Sequence, residues 1–222
     1  MNTIENYLAQ IQQDGLKIET VYDIGARQAL WSGPMKRGVL KDSYFYLFEG
    51  NPDCEGALAA SGLPYYIGIL SNPGRESVEY YKINGSGDSY YRENTPFYDD
   101  KTPTVVPART LESIIAECEM PIPNFIKIDT QGSELDILRG AETILDQVDL
   151  IFLECPIIRY NLGAPDIQDY LDYMREHGFM PTDVLDIHVH ENTLVQIDIM
   201  FINSKTKERL YGANTGCRPL AG

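Results

Sequence analysis

The sequence predicts an α/β fold, a mostly parallel sheet covered by helices on both faces. Three observations support this prediction. Short apolar segments, each long enough for one strand, alternate along the chain with segments of helical periodicity. Most of these strands are apolar enough to be buried on both faces, as in parallel sheets. The last two strands instead alternate polar and apolar residues around a short turn, which predicts a terminal antiparallel hairpin.

The first element is a helix over residues 3–15, because Ile4, Tyr7, Leu8 and Ile11 share one face and a glycine follows. Three buried strands come next, in TVYDIG, SYFYLFEG and PYYIGILS, with a helix in NPDCEGALAASG before the third. Beyond residue 109 the alternation continues as helix TLESIIAECE, strand NFIKIDTQG, helix SELDILRGAETILDQ, strand DLIFLEC, helix APDIQDYLDYMREHGF and hairpin TDVLDIHVHENTLVQIDIMFINS.

Length and composition narrow the class of protein. A chain of 222 residues can bury one sizeable core, so we expect a single domain over residues 1–222. We see neither an apolar run long enough to span a membrane nor a secretory signal, and we expect a cytoplasmic protein. The widely spaced cysteines favour reduced thiols over zinc or disulfides: Cys54, Cys118, Cys155 and Cys217. A net charge of −15 argues against nucleic acid as a partner.

A segment rich in Tyr, Gly and Asp interrupts the alternation at about residues 76–107. We predict a hairpin or long loop that acts as a lid-like insertion over the substrate, because loops of this length in compact domains are usually functional or disordered. Tyr90 and Tyr91 are its candidate substrate contacts, and Arg159 and Tyr160 would form another wall of the cleft. A surface hairpin or a subunit contact is the alternative.

The end of the first strand indicates which cofactor the crevice accepts, since ligands of such sheets lie beyond the carboxyl ends of the strands. A dinucleotide site needs several glycines where the backbone approaches the pyrophosphate. Here Gln28 and Ala29 occupy part of that turn, and Asp23, before Gly25, adds an unfavourable negative charge. A cofactor with an amine, a sulfonium and one adenosine fits better, with Glu49 accepting hydrogen bonds from its ribose. An ordinary turn with a helix-capping acid is the alternative.

The segment FIKIDTQGSELDILRGA forms a second cluster of candidate residues. Ser133 and Asp136 resemble a capping box at the start of a helix. Lys127 shares a strand face with Asp129, and a buried lysine needs a carboxylate partner or a cleft to face. Lys127 is therefore a general base with a depressed pKa, a charge that orients the substrate, or part of a structural ion pair.

A metal site is a further possibility on the terminal hairpin. Period two places Asp186, His188 and His190 on one strand face, a spacing that could ligate a divalent ion. A solvated polar face explains the same pattern, and we favour metal-independent chemistry.

The blocks VYDIGARQALWS, LFEGNP, IKIDTQGSELDILRGA and LIFLECPIIRYNLGAPDIQDYLDYMREHGF resemble, in order and spacing, the FkbM-type family of S-adenosylmethionine-dependent methyltransferases. The resemblance covers roughly residues 21–179. It implies a Rossmann-like, seven-stranded class I methyltransferase sheet whose last strand is antiparallel. Where the family usually has asparagine and a further glycine after its Asp-x-Gly-Ala block, this chain has Arg27 and Ala29.

The resemblance also assigns roles to individual positions. The cofactor site would comprise Asp23, Gly25 and Ala26 at the methionine end, Glu49 at the ribose, Ser71 and Asn72 beside the adenine, and Asp129 near the amine and the methyl group, with Asn51 as a further cofactor-binding residue. Asp129, Lys127 and Glu154 are the candidate bases for an alcohol acceptor. The guanidinium of Arg27 would weaken cofactor binding unless it points away from the sulfonium.

The resemblance implies O-methylation of a hydroxyl on a sugar or a secondary metabolite, with a small molecule or a glycan as acceptor. Two alternatives belong to other classes: a catalytically silent, methyltransferase-like binding protein, and a nicotinamide-dependent oxidoreductase, which the missing glycines disfavour. No oligomeric state follows from the sequence.

Overall fold

The structure is a computed structural model that describes residues 2–83 and 87–212. Its strands are β1 (Thr20–Ile24), β2 (Tyr44–Glu49), β3 (Tyr65–Ile67), β4 (Ile69–Leu70), β5 (Ser77–Tyr80), β6 (Thr104–Arg109), β7 (Phe125–Ile128), β8 (Leu150–Pro156), β9 (Phe179–His190) and β10 (Thr193–Asn203). Its α-helices are α1 (Ile4–Gln13), α2 (Ser32–Arg37), α3 (Glu55–Ser61), α4 (Leu111–Glu117), α5 (Glu134–Arg139), α6 (Ile167–Glu176) and α7 (Ser204–Tyr211). Short 3-10 segments lie at Pro52–Cys54, Pro96–Tyr98 and Glu142–Gln147.

Seven strands form the main sheet, in the order β3-β2-β1-β7-β8-β10-β9. The five strands from β3 to β8 pair in parallel, whereas β10 lies antiparallel between β8 and β9. The strand order reverses between β1 and β7, where the ligand crevice of an open sheet is expected. This topology confirms the predicted seven-stranded α/β sheet with an antiparallel last strand.

The two faces of the sheet bury separate apolar clusters. On β1, Val21 packs into one cluster with Leu8 of α1, and Tyr22 packs into the other with Tyr170 of α6. This alternation follows from the two-residue period of a strand. Asp23 interrupts the apolar run of β1 but is as fully buried as its neighbours.

The predicted first helix lies within its expected bounds. The side chain of Thr3 accepts a hydrogen bond from the N–H of Asn6 at the start of α1, and Gly15 follows the end with φ +107°. In the described residues no helix is long and apolar enough to cross a membrane. Cys54, Cys118 and Cys155 are free thiols, whereas Cys217 lies outside the described residues.

The predicted strand PYYIGILS is wrong as a single element. It divides at Gly68 into β3, in the main sheet, and β4, in a second sheet of order β4-β6-β5. Gly68 donates its N–H to the carbonyl of Glu49, and a Cβ at this position would lie 2.7 Å from the ring of Tyr66. The chain bends here because the glycine leaves room for that ring.

The Tyr-rich segment at residues 76–107 contains β5 and part of β6, which pair antiparallel across a long connection. It is therefore partly the expected hairpin, although residues 84–86 lie outside the described part. Val78 and Tyr80 form a small apolar core with Ile69 and Ala108.

The single helix predicted for SELDILRGAETILDQ also divides, into α5 and the 3-10 segment that follows. At Gly140 a Cβ would lie 2.4 Å from the carbonyl oxygen of Ser71, so the backbones approach closely at this break. The predicted capping box is wrong as well. Ser133 makes no side-chain cap; its hydroxyl donates to the carbonyl of Thr130, and Asp136 is engaged elsewhere.

Candidate active site

A cleft of about 740 Å³ opens at the carboxyl ends of β1, β2, β7 and β8. The parallel strands deliver their loops to this edge, as predicted from the topology. The sequence-predicted residues that line it are Gly25, Ala26, Glu49, Asn51, Tyr90, Lys127, Asp129, Glu154 and His188.

The turn after β1 lies close against the turn after β7. Gly25 has φ +76°, and a Cβ there would lie 1.9 Å from the carbonyl oxygen of Asp129. The N–H groups of Gly25 and Ala26 both donate to the carbonyl of Phe48, at 2.9 and 3.0 Å. Only glycine fits at this point, because any side chain would push the two turns apart.

The same turn holds two non-glycine residues in the left-handed region, Arg27 at φ +51° and Ala29 at φ +56°. Asparagine and glycine tolerate this conformation better than arginine and alanine do. The two departures from the family pattern therefore fall where the backbone favours the family residues. Arg27 also lines the cleft.

Glu49 is fixed by the backbone at the end of β2. Its carboxylate accepts the N–H of Arg27 and the N–H of Asn51, each at 2.7 Å. Burial raises the pKa of Glu49, and these two hydrogen bonds oppose the rise. Each carboxylate oxygen retains acceptor capacity, which suits a diol.

Asn51 connects this region to the Tyr-rich segment. Its amide donates to Asp88 at 2.6 Å, and its side-chain oxygen accepts the N–H of Asp53. Asp88 also accepts the N–H of Ile83 at 2.6 Å, so the segment borders the cleft beside Glu49.

Asp23, behind the cleft wall, forms a buried ion pair with Lys127, which lines the cleft. Lys127 Nζ lies 3.1 Å from Asp23 Oδ1 and 3.5 Å from Asp129 Oδ2, and Ser32 donates its hydroxyl to Asp23. Asp23 is fully buried and does not line the cleft, whereas the side chain of Asp129 is 45% exposed.

The environment of Lys127 contradicts one sequence-based hypothesis. Burial lowers its pKa, but the charges of Asp23 and Asp129 outweigh burial, so that the pKa is raised. A depressed pKa was expected for a lysine general base, and this expectation is wrong. The ammonium is held as a fixed positive charge beneath Asp129.

A hydrogen-bonded set of side chains extends from Asp129 across the floor of the cleft. Gln131 donates to Asp129 at 3.3 Å and to Glu154 at 2.7 Å, and Gln196 donates to the other oxygen of Glu154. Tyr160, a predicted substrate contact that does not line the cleft, donates to Gln196 at 2.7 Å. Burial first, then the charge of Asp129, raises the pKa of Glu154 well above its usual range.

Asp136 anchors the Tyr-rich segment to α5. Tyr90 and Tyr91 donate their hydroxyls to this carboxylate at 3.2 and 2.8 Å. Asn72 and Arg75 donate to it as well, at 2.9 and 3.0 Å. Of the two tyrosines predicted to bind substrate, Tyr90 lines the cleft and Tyr91 does not.

Several other predicted residues lie outside the cleft lining. Ser71 is fully buried with its hydroxyl 3.3 Å from that of Tyr90, and Asn72 is held by Asp136. Arg159 is 59% exposed and forms ion pairs with Asp166 and Asp169 at the start of α6.

On the terminal hairpin, the predicted trio of possible metal ligands is only partly brought together. His188 Nε2 lies 3.7 Å from Asp186 and 3.6 Å from Asp198, whereas exposed His190 is not part of this cluster. Asp198 replaces His190 because it faces Asp186 across the β9–β10 ladder. Burial raises the pKa of Asp198 to about 6.

Sequence reasoning missed four residues: Trp31, Glu134, Gln196 and Asp198. Glu134 is fully buried; it accepts the N–H groups of Thr130 and Gly132 and thereby shapes the turn after β7. The pattern that could have indicated Glu134 is an acid two residues after Gly132, where its carboxylate can accept the N–H groups of the turn. Gln196 and Asp198 alternate on β10, which faces the site only because that strand lies between β8 and β9.

The strand order and its reversal point are those of the Rossmann-like sheet of class I methyltransferases. Residues 23–181 match the methyltransferase FkbM domain, and the chain belongs to this family, whose cofactor is S-adenosylmethionine. The predicted family and cofactor are thereby confirmed.

One curated relative is the hexuronic acid methyltransferase AglP of Haloferax volcanii, 27% identical over 116 residues. These residues make up 49% of this chain and 46% of that protein.

Solved structures share the fold. An FkbM methyltransferase from Methylobacillus flagellatus has 15% identity and a TM-score of 0.50, covering 87% of this chain and 47% of that one. A Klebsiella pneumoniae protein assigned as an O-methyltransferase has 14% identity and a TM-score of 0.50, covering 90% and 79%. The chain thus spans about half the length of the Haloferax and Methylobacillus proteins.

Proposed function

We propose that this methyltransferase methylates a hydroxyl oxygen of a sugar or a secondary metabolite. The observation that supports it is the division of one cleft into two polar regions. Glu49, suited to a ribose diol, lies on one side, and the set around Asp129 and Glu154 lies on the other. The Haloferax relative, named for a sugar acid, favours a carbohydrate acceptor.

The residues of the first region fit S-adenosylmethionine. The glycine at position 25 lets the turn after β1 pack against the turn after β7 at the edge of the cleft, and Glu49 has free acceptor capacity for ribose hydroxyls. Ile69 and Leu70 offer an apolar wall for an adenine ring, with Ser71 and Asn72 behind it. A cofactor with a cationic amine and a sulfonium is also compatible with the partly exposed carboxylate of Asp129.

When bound, S-adenosylmethionine supplies a methyl group already activated by the sulfonium. The acceptor hydroxyl must then lose its proton, because the pKa of an alcohol is far above neutral. We assign Asp129 to receive this proton because its carboxylate is partly exposed in the cleft, where the contact with Lys127 holds it in position. Glu154, whose pKa is raised, lies on the acceptor side of the cleft and is held there by hydrogen bonds from Gln131 and Gln196.

The cofactor assignment is tested by calorimetry with S-adenosylmethionine and with NAD. We expect binding of S-adenosylmethionine alone, and we expect Glu49→Ala to weaken it by about 1–3 kcal/mol because buried partners lose their acceptor. Glu55→Gln, an exposed acid on α3, is the matched control. Equal affinity in Glu49→Ala and wild type would refute the role of Glu49.

The reaction is tested with methyl-labelled S-adenosylmethionine and a panel of acceptors: neutral glycosides, uronic acids and hydroxylated macrolides. We expect label in a base-stable ether of one class. Label released by mild base would indicate a carboxyl ester instead. Cofactor binding without transfer to any acceptor would favour the catalytically silent binding protein.

A further inference from the structure

We propose that Asp186, His188 and Asp198 bind a divalent cation at the acceptor end of the cleft. The three side chains come from adjacent strands of the terminal hairpin. Asp186 on β9 is the cross-strand partner of Asp198 on β10, and His188 pairs with Gln196. One ligand atom from each of the three lies within 4.8 Å of the others.

The distances between these atoms are longer than hydrogen bonds and lie at or beyond the upper limit for two ligands of one cation, so the side chains would move closer together on binding it. His188 Nε2 is 3.6 Å from Asp198 Oδ1 and 3.7 Å from Asp186 Oδ2. Hydrogen bonds between nitrogen and oxygen are shorter, about 2.7–3.2 Å. Two ligands that each lie about 2.1 Å from one metal ion are roughly 3.0–3.6 Å apart, depending on the angle between them.

A second observation is that Asp198 Oδ1 is buried and, among the described residues, accepts no hydrogen bond, although His188 Nε2 lies 3.6 Å away. A buried carboxylate oxygen without a partner is costly, so it indicates a missing positive or hydrogen-bonding group. Asp186 is oriented by its own backbone, because its Oδ1 accepts the N–H of Ile187 at 2.8 Å. Its Oδ2 is thereby left to face His188.

The nearby side chains on the acceptor side of the cleft add negative charge, and the nearby lysine is already paired. Gln196 and Glu154 lie between the hairpin cluster and Asp129, and Lys127 is already held by Asp23 and Asp129. A divalent ion would neutralise the cluster and remain next to the acceptor, since His188 lines the cleft.

The donor set indicates the kind of metal. Two carboxylates and one imidazole suit a first-row ion such as Mn²⁺ and give no thiolate ligand for softer metals. Three protein ligands also leave coordination positions open. If the proposed function holds, these positions would take oxygen atoms of the acceptor, such as adjacent hydroxyls of a sugar.

The chain carries a reporter for this site. Trp31 is its single tryptophan, and it lines a smaller chamber together with Asp186 and Asp198. Paramagnetic Mn²⁺ bound at the cluster should quench Trp31 fluorescence, and electron paramagnetic resonance counts the Mn²⁺ that remains free. We expect one saturable site per chain in the absence of any cofactor or acceptor.

Variants separate this cluster from adventitious binding. His188→Ala and Asp186→Asn should each weaken Mn²⁺ affinity at least about tenfold. His190→Ala, exposed at the end of the same strand, should bind Mn²⁺ as wild type does. Absence of saturable binding, or equal affinity in His188→Ala and wild type, would overturn the proposal.

The metal site and the proposed function fail in different ways. Mn²⁺ binding without transfer to any acceptor would leave the site standing and refute the function. Methyl transfer by a protein that binds no Mn²⁺ would refute the metal site and leave the proposed function standing. Where both are found, metal removal should raise the acceptor KM and leave S-adenosylmethionine affinity unchanged; an unchanged KM would overturn the acceptor role.

Discussion

Asp23 and Lys127 show how a largely buried ion pair can position the exposed side chain of a site. Both side chains are buried, and their pairing leaves Lys127 as a fixed charge below the exposed carboxylate of Asp129. Breaking such a pair on one side leaves an uncompensated buried charge, which costs more than removing both partners.

We therefore expect Lys127→Met to lower the free energy of unfolding by about 3–5 kcal/mol. The double variant Asp23→Asn with Lys127→Met should recover much of that loss. Urea unfolding of the single and double variants measures the coupling. Lys17→Met, whose partner Glu19 is on the surface, is the control and should change little. A double variant that is no more stable than Lys127→Met alone would contradict this account.

Asp129 is the residue with the most direct expected effect on chemistry. Asp129→Asn keeps the side-chain shape and removes the charge, so turnover should fall by about 10²–10⁴ while the fold survives. Single-turnover rates at saturating S-adenosylmethionine test this, with surface Asp146→Asn as the control. A wild-type rate in Asp129→Asn would show that the carboxylate is structural only.

At the scale of elements, Asp136 connects α5, the segment around Arg75 and the pair Tyr90–Tyr91. Its hydrogen bonds restrain the Tyr-rich segment, so that this part of the segment is a wall of the cleft. Any movement of the predicted lid-like insertion is then limited to residues beyond those that are bonded to Asp136.

Asp136→Ala should release that wall. We expect a loss of about 1–3 kcal/mol in stability from the unpaired donors, and faster amide hydrogen exchange over residues 87–91. Asp99→Asn, in an exposed ion pair of the same segment, is the control. Unchanged exchange in Asp136→Ala would mean that the segment is held by other contacts.

Sequence periodicity was sufficient for the strands and helices whose apolar residues repeat regularly, and the motif residues Gly25, Glu49 and Asp129 do border one cleft. It could not show where distant backbones approach each other. Gly68 and Gly140 divide predicted elements because a ring and a carbonyl occupy the space of their missing side chains. Asp136 resembled a helix cap, but apart from Arg139 its partners lie 45 to 64 positions away in the chain.

For the whole molecule, the acidic cleft predicts an unusual dependence of stability on pH. Burial raises the pKa values of Glu49, Glu134, Glu154 and Asp198, that of Asp198 to about 6. A raised carboxyl pKa means that the folded protein retains protons that the unfolded chain releases. Stability from these groups is therefore present at low pH and lost as pH rises through the folded pKa values.

We expect the free energy of unfolding to fall between about pH 4 and 6, from the usual carboxyl pKa to that of Asp198, by up to about 1.4 kcal/mol per pH unit for each retained proton. Urea midpoints across this range measure the slope. Glu154→Gln should reduce the slope, whereas exposed Glu55→Gln should not. Stability that increases over the same range would contradict the prediction.

The position of β1 at the centre of the sheet has a consequence for biosynthesis. β2 leaves the ribosome soon after β1, but β7, the neighbour on the other side, is made about a hundred residues later. Until then one edge of β1 has no partner, and nascent chains with open strand edges tend to associate. Lys127 arrives on β7 itself, so Asp23 stays a hydrated charge on the half-made strand, and inward-pointing charges of this kind discourage wrong pairing. Asp23, which Lys127 neutralises in the folded protein, thus disfavours wrong strand pairing while the chain is incomplete.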